Sequence, residues 1–534
     1  MASDQTGEST SAVPPVRGVA PATSADPVPT GPSRACTWRR SIVGFLLLFG
    51  ILGVWSLSQP RWAAPDEPAQ AIRAAGAADG QIFGKNAPAL GASTATFIVP
   101  AALGATGVCY AFKPTVSAAC EPQPTVTSAR IEQASYVGRY PPLYYVIVGL
   151  PSRLDPSSPR QLYYMRLVSA ALSAMFLCAA LVSAAQVRGR RWVIFGAAVT
   201  VTPMVVFLGS VVNPSGLEIS SALCMWTSGL ALLDGPLPRY RRRLLVWTTV
   251  SASAFVQVRG LSPLLLLIAA VLLGLLVGRQ KIVALLRQRD AQVGTAVIVA
   301  FSLFAVWWIL SQHVLVSSMT PGPVVATQGI PYNQAFTRNT NVHEMIGVFG
   351  WLDTYIPLWC YRVVETILWV LLGLAVLRRR WRVLGVAVLL AAVVASLTTA
   401  LSLHERAKFG IVGQARYDLP LAVGLPVLVA YAASASRRAR TPWVLGVVAG
   451  VSGLALAVVQ FVAFVYLAQR NRTGIRGPLF TLHAPFVPAL PWILAVIAIP
   501  VLELAFLAWW QLQMYGPLRG PKLPRPPAGS PVAA

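Results

Sequence analysis

Charge is scarce in this chain: only 11% of its 534 residues are Asp, Glu, Lys or Arg, where a soluble globular protein carries about 25%. With 55% hydrophobic residues and a mean hydropathy of +0.62, that scarcity excludes a string of soluble domains and implies a polytopic membrane protein. Acidic residues are scarcer still, 18 against 43 Lys and Arg, for a net charge of +25. The basic excess punctuates long apolar runs instead of gathering on one soluble face, so no nucleic-acid partner is expected. Six cysteines are too few for a disulfide-rich scaffold. No CxxC or HExxH spacing suggests zinc, so no cofactor is assigned, and a divalent cation stays open only on oxygen ligands.

Residues 1–38 are rich in Pro, Ser, Thr, Ala and Gly and have no apolar periodicity, which reads as a disordered cytoplasmic tail. Arg39 and Arg40 then precede the apolar run Ser41 to Ser58, read as an uncleaved first span because the tail is too long for a signal peptide. Further runs near the roughly 20 residues a membrane helix needs lie at 164–186, 192–212, 214–234, 244–258, 261–278, 294–312, 356–377, 383–403, 416–436, 443–468 and 488–513. The expectation is therefore an all-α polytopic membrane protein of about twelve transmembrane helices. Its membrane domain is 39–513, with a second disordered cytoplasmic tail at 514–534. With the N-terminus inside, the short inner loops hold 18 basic residues and the outer connections after the first loop hold eight, which puts both termini in the cytoplasm.

That alternation requires Tyr140 to Leu154 (YPPLYYVIVGLPSRL) not to cross. Its apolar stretch is too short and contains Pro141, Pro142 and Pro151, so it reads as an interfacial helix with Tyr140, Tyr144 and Tyr145 at the water boundary. Residues 59–160 then form one large outer loop. Cys109 and Cys120 lie in it, on the side where disulfides persist, and are expected to pair; two buried thiols are the alternative.

Asp66 and Glu67 stand side by side just past the first span, in QPRWAAPDEPAQAIRAA. Neighbouring side chains on a helix diverge by about 100°, so one carboxylate is free to face a cavity while the other caps or orients. Arg259 in QVRGLSP, Arg406 in HERAKFGIVGQAR and Arg416 beside Tyr417 are candidate phosphate holders, because a guanidinium fork matches phosphate; headgroup snorkelling is the plainer reading. Trp351 has the ring to stack on a sugar, with Glu344 or Asp353 bonding its hydroxyls, although Trp is also an ordinary interfacial anchor. Asn213 and Glu218 flank another outer turn, with Glu218 inside a helix near the membrane boundary.

The segments APDEPAQ, RYPPLYYVIVGLP, MRLVSAALSA, VVNPSGLEISSA, MIGVFGWLDTYIP and QARYDLPL resemble, in this order, a family of bacterial polytopic membrane proteins of unknown function. That family is similar to the GT-C glycosyltransferases, among them oligosaccharyltransferases and mannosyl, arabinosyl and aminoarabinose transferases. The resemblance covers about 41–513. It implies a GT-C-like fold in a bacterial plasma membrane, with Asp66 and Glu67 beside the reaction centre, Pro141-Pro142-Leu143 opening a second interfacial helix, and Arg166 in the Arg-Leu pair of the next span. The family's usual His is Gln70 here, which argues against a histidine metal ligand.

No Gly-rich phosphate loop lies between strand and helix, so the donor this resemblance implies is a polyprenyl-phosphate sugar. The acceptor is an envelope glycan or a lipid-linked molecule, and membrane lipids are the remaining partners. On this reading Asp66 and Glu67 are catalytic, Arg259, Arg416 and Arg406 bind donor phosphate, and Trp351, Asp353, Glu344 and Tyr144 bind sugar or acceptor. Two other classes compete: a transporter or flippase of a lipid-linked glycan, and an envelope-assembly scaffold.

Overall fold

Eleven of the twelve apolar runs fold as a helix or as a pair of helices in a computed structural model, which describes residues 34–515 apart from 92, 105–106, 188–190, 236–237, 316–339, 410–413 and 435–441. The helices before the long connection are α1 (Arg34–Ser58), α2 (Glu67–Ala78), α3 (Pro142–Leu154), α4 (Gln161–Ala184), α5 (Trp192–Val199), α6 (Pro203–Gly209), α7 (Pro214–Leu233), α8 (Pro238–Val256), α9 (Ser262–Val277), α10 (Arg279–Leu286) and α11 (Arg289–Ser311). Beyond it follow α12 (Thr340–Gly347), α13 (Leu358–Leu377), α14 (Trp381–Phe409), α15 (Leu419–Ala422), α16 (Gly424–Ala433), α17 (Pro442–Thr473) and α18 (Trp492–Tyr515).

Among the described residues eight helices are long and apolar enough to cross a membrane: α1, α4, α7, α11, α13, α14, α17 and α18. The number rises to ten if two bent pairs each count as one span, α5 with α6 at 64° and α9 with α10 at 112°. The remaining two of the twelve runs fall short. The 19-residue α8 spends its first turns on PRYRRR, and the run 416–436 is divided into a 3₁₀ turn and two short helices. Helix α7 is the centre of the bundle: 94% of its apolar window is buried, and it packs on α4 and α8. Its start is specified locally, with Pro214 in the first turn and the Asn213 side chain accepting the Ser215 N–H at 3.0 Å.

The first long loop is a small α/β layer on one end of the bundle. Its 13-residue α3 is too short to span and lies against α2. The approach is close enough that a Cβ on Gly149 would meet the Ala74 carbonyl oxygen at 2.0 Å. Above them is a three-stranded antiparallel sheet in the order β1 (Lys85–Asn86), β2 (Ala95–Pro100), β3 (Arg130–Ser135), with Phe97 opposite Gln133. The all-α expectation missed this sheet, whose strands alternate in burial and lay Phe97 on α2.

One aromatic expectation is corrected here. Tyr144 and Tyr145 face inward, 1% and 0% exposed, because α3 packs on both α2 and α4. The Tyr145 hydroxyl donates to Gln70 Oε1 at 2.6 Å, and Tyr144 lies 3.1 Å from Ser169 Oγ. Tyr144 is thus a buried packing residue, and Gln70 is a buried partner for Tyr145. Cys109 and Cys120 are joined in a disulfide with Cα atoms 6.1 Å apart.

Candidate functional site

The two adjacent carboxylates part at the start of α2. Asp66 has a left-handed backbone, φ 69°, which costs a non-glycine residue roughly 1–2 kcal/mol and which Asp tolerates better than most. It stands at the N-cap position yet makes no cap bond, because both oxygens are directed elsewhere. The Tyr136 hydroxyl donates to Oδ1 at 2.6 Å and Arg416 Nη2 donates to Oδ2 at 2.5 Å. The Asp66 side chain keeps 24% of its surface exposed.

Glu67, expected beside it as a second catalytic carboxylate, turns inward to Arg166, with both side chains fully buried. The Val212 N–H also donates to its Oε1 at 3.0 Å. Both of its oxygens are committed, so its chemistry is that of an anchor.

Two of the three candidate phosphate holders meet beside Asp66. Arg416 lies in the 3₁₀ turn Ala415–Tyr417 and is 2% exposed. Its guanidinium is 5.2 Å from the centre of the Tyr417 ring, and that of Arg259 is 4.7 Å from the same ring. Arg259 comes from the break between α8 and α9. Its Nη2 donates to Ser215 Oγ at 2.7 Å, and its Nε lies 3.5 Å from Glu218 Oε2. Glu218 in turn accepts from the Ser262 hydroxyl at 2.8 Å, so the helix-boundary acid noted in the sequence serves to orient Arg259. The third arginine, Arg406, has its side chain outside the described residues.

Titration favours neutral phenols at Tyr136 and Tyr140. Burial, then the Asp66 carboxylate, hold the Tyr136 phenol well above its usual range, so it acts as a hydrogen-bond donor. Burial likewise pushes Tyr140 up to about 12. Glu344, on α12, adjoins the cluster: its carboxylate accepts the Ala415 N–H at 2.8 Å. Burial raises the Glu344 carboxyl above the usual value, opposed by that N–H and by Arg416.

Trp351 and Asp353 belong to a different assembly. Asp353, 8% exposed at its side chain, pairs with the fully buried Arg470, whose Nη2 also donates to the Tyr110 carbonyl at 2.7 Å. Trp351 donates its ring N–H to the Trp62 carbonyl at 3.0 Å and lies edge-on to Phe112. These residues bind the disulfide-closed loop to the end of α17 and to the turn between α12 and α13, and both Asp353 oxygens accept from Arg470. Sequence reasoning missed Tyr136 and the Asp353–Arg470 pair. Tyr417, adjacent to Arg416 in QARYDLPL, carried a signal that was noted without a role.

A divalent cation does not fit the cluster. Among the described residues no three His, Cys, Asp or Glu side chains are grouped to hold a metal, and Asp66 offers its one carboxylate beside Arg416 and near Arg259, whose positive charges oppose a cation.

A family model described as a predicted membrane protein, DUF2142, matches residues 48–425. No curated protein and no solved structure matches the chain. The matched span covers most of the sequence, including Asp66, Tyr136, Arg259, Glu344 and Arg416, and the chain belongs to this family of membrane proteins.

Proposed function

We propose that this DUF2142 membrane protein is a glycosyltransferase of the GT-C kind. It transfers a sugar from a polyprenyl-phosphate donor to an envelope glycan or lipid-linked acceptor on the outer face of a bacterial plasma membrane. The observation that carries the reading is the meeting of Asp66, Arg416, Arg259 and Tyr417 from segments spread over 350 residues of chain. The GT-C assignment itself rests on the order of motifs in the sequence.

In the proposed reaction Asp66 accepts the proton of an acceptor hydroxyl. The hydroxyl oxygen forms a bond to the anomeric carbon as the bond from that carbon to the phosphate oxygen breaks, and the electron pair leaves with the phosphate. Arg416 and Arg259 stabilise the charge that develops there. A single displacement inverts the anomeric configuration. Glu67 is a positioning residue, since its fork with Arg166 fixes the peptide next to Asp66, and Glu344 holds the Ala415 backbone from which Arg416 projects.

One observation favours a second reading. Glu503 lies inside the apolar helix α18, 5% exposed, with Oε1 making no hydrogen bond among the described residues. An ionisable group in such a position is a mark of transport as well as of catalysis. Comparing envelope glycans of cells with and without the protein separates the readings. Loss of one sugar linkage supports transfer, accumulation of intact lipid-linked glycan on the inner side supports transport, and an unchanged glycan profile contradicts both.

A further inference from the structure

We propose that Arg416, Arg259 and Tyr417 form an anion site whose resting occupant is the carboxylate of Asp66, so that a phosphate-bearing ligand binds by displacing Asp66 from Arg416 and thereby frees the base. The inference rests on the donor reading above and adds to it an internal competitor and an order of events.

The first support is an unmet demand for acceptors. A guanidinium offers five N–H donors, and a buried donor without an acceptor is costly. Arg416 is 2% exposed, yet its hydrogen bonds run through Nη2 alone, to Asp66 Oδ2 at 2.5 Å and to the Tyr417 hydroxyl at 3.3 Å. Its Nε and Nη1 are buried and make no hydrogen bond among the described residues. A single carboxylate oxygen leaves most of this fork idle. A phosphate has more oxygens, more charge and the geometry that suits parallel N–H donors.

The second support is a cation already set beside the first. Arg259 is held from behind by Ser215 and Glu218, and its guanidinium shares the Tyr417 ring with Arg416. Arg259 Nε also makes no hydrogen bond among the described residues, its approach to Glu218 being an ion-pair distance of 3.5 Å. One anion between these groups would draw on both guanidiniums, whereas Asp66 reaches only one.

The third support is that Asp66 can leave without being lost. Its Oδ1 is held by Tyr136 and its Oδ2 by Arg416, so an anion that takes Arg416 contests only Oδ2. Tyr136 keeps the carboxylate in place, and the oxygen set free is the one available to an acceptor hydroxyl. While paired, Asp66 has its Oδ2 occupied by the Arg416 N–H, so that oxygen is closed to an acceptor hydroxyl. The base is therefore masked until a phosphate arrives, and donor binding comes before acceptor activation.

Competition for one cation is reciprocal: whatever Asp66 gains from Arg416, phosphate must overcome. Asp66→Asn, which keeps the side chain's shape and removes its charge, should then bind phosphate more tightly while losing any activity that needs a base. The test uses the full purified chain in lipid nanodiscs, titrated with farnesyl phosphate, with inorganic phosphate and with farnesol. Size exclusion and unfolding temperature of each variant establish that it is folded.

The expected result is farnesyl phosphate binding tightened on the order of tenfold in Asp66→Asn, weakened at least about tenfold in Arg416→Ala and partly restored in Arg416→Lys. An equal gain for inorganic phosphate assigns the displacement to the headgroup alone; a gain confined to farnesyl phosphate assigns it to the lipid form. If the native protein binds farnesyl phosphate and Asp66→Asn binds it no more tightly, the displacement is wrong while the donor reading stands. A comparable gain for farnesol also overturns it. If neither protein binds any phosphate, the anion site and the donor reading fall together.

Discussion

Arg166 grips Glu67 through two parallel bonds, Nε to Oε1 at 2.8 Å and Nη2 to Oε2 at 2.7 Å, across 99 residues of chain. The same guanidinium donates to the carbonyls of Ser56, Gln59 and Pro60, while Glu67 accepts the Val212 N–H. One ion pair thus joins the end of α1, the start of α2, α4 and the turn before α7. Asp66, one peptide bond away, inherits its position from that joint.

Removing one partner should strand the other charge in a sealed site. Arg166→Ala or Glu67→Gln is expected to cost about 3–5 kcal/mol, read as a lowered unfolding temperature in detergent. The paired replacement Glu67→Gln with Arg166→Met should recover part of the loss. Single variants that unfold with the native protein would show that the joint does not hold the fold.

The disulfide hairpin is fastened from two sides. Cys109–Cys120 closes it, and Arg470, paired with Asp353, donates to the carbonyls of Tyr110 and Val116. Replacing both cysteines by Ser should lower local stability by roughly 2–4 kcal/mol. Arg470→Ala should speed amide exchange over 109–120 and 471–475 with the disulfide intact. Peptide mapping that finds both thiols free in protein from its native envelope would contradict the first expectation, and unchanged exchange the second.

Much of this architecture is legible in the sequence because membrane helices depend on local composition. The apolar runs behind α1, α4 and α11 need no distant partner to be recognised, and α3 is excluded as a span by its length and prolines. The sheet is different: the β2–β3 ladder pairs residues 30 to 40 positions apart and leaves only short alternations in the chain. Tyr144 misled because an aromatic near the membrane boundary suits both a wet and a packed position, and only the packing of α3 on α2 and α4 decides which. Divergence of adjacent side chains separated the roles of Asp66 and Glu67, but nothing local says that Arg166 takes the second or Arg416 the first.

Glu344 supplies a pH signature outside the spans. Burial raises its carboxyl above the ordinary 4.5 in the folded protein. Its contribution to stability is therefore fully present below that value and is lost as pH rises through the raised one. Glu344→Gln, whose amide oxygen can still accept the Ala415 N–H, should remove this dependence. Unfolding temperatures of both proteins measured from pH 4 to pH 7 should converge at the acid end, with the variant relatively more stable at pH 7; parallel curves would contradict the assignment.

The 18-to-8 division of basic residues predicts that both termini lie inside and the first long loop outside. In intact cells a membrane-impermeant thiol reagent should modify Lys85→Cys on the first long loop and spare Ala20→Cys and Arg525→Cys. Labelling of either terminal position from outside, or protection of position 85, would reverse the assignment.

The central claim is that Asp66 is the base of a sugar transfer from a phosphate-linked lipid. Its most direct measurement is transfer by purified native protein and by Asp66→Asn, using defined polyprenyl-phosphate sugars and candidate acceptors. Native protein should form an inverted glycosidic product, and Asp66→Asn should slow that step by roughly 10²–10⁴-fold while still binding donor. Full transfer by a folded Asp66→Asn protein, or movement of intact lipid-linked glycan with no transfer by the native one, would contradict the account.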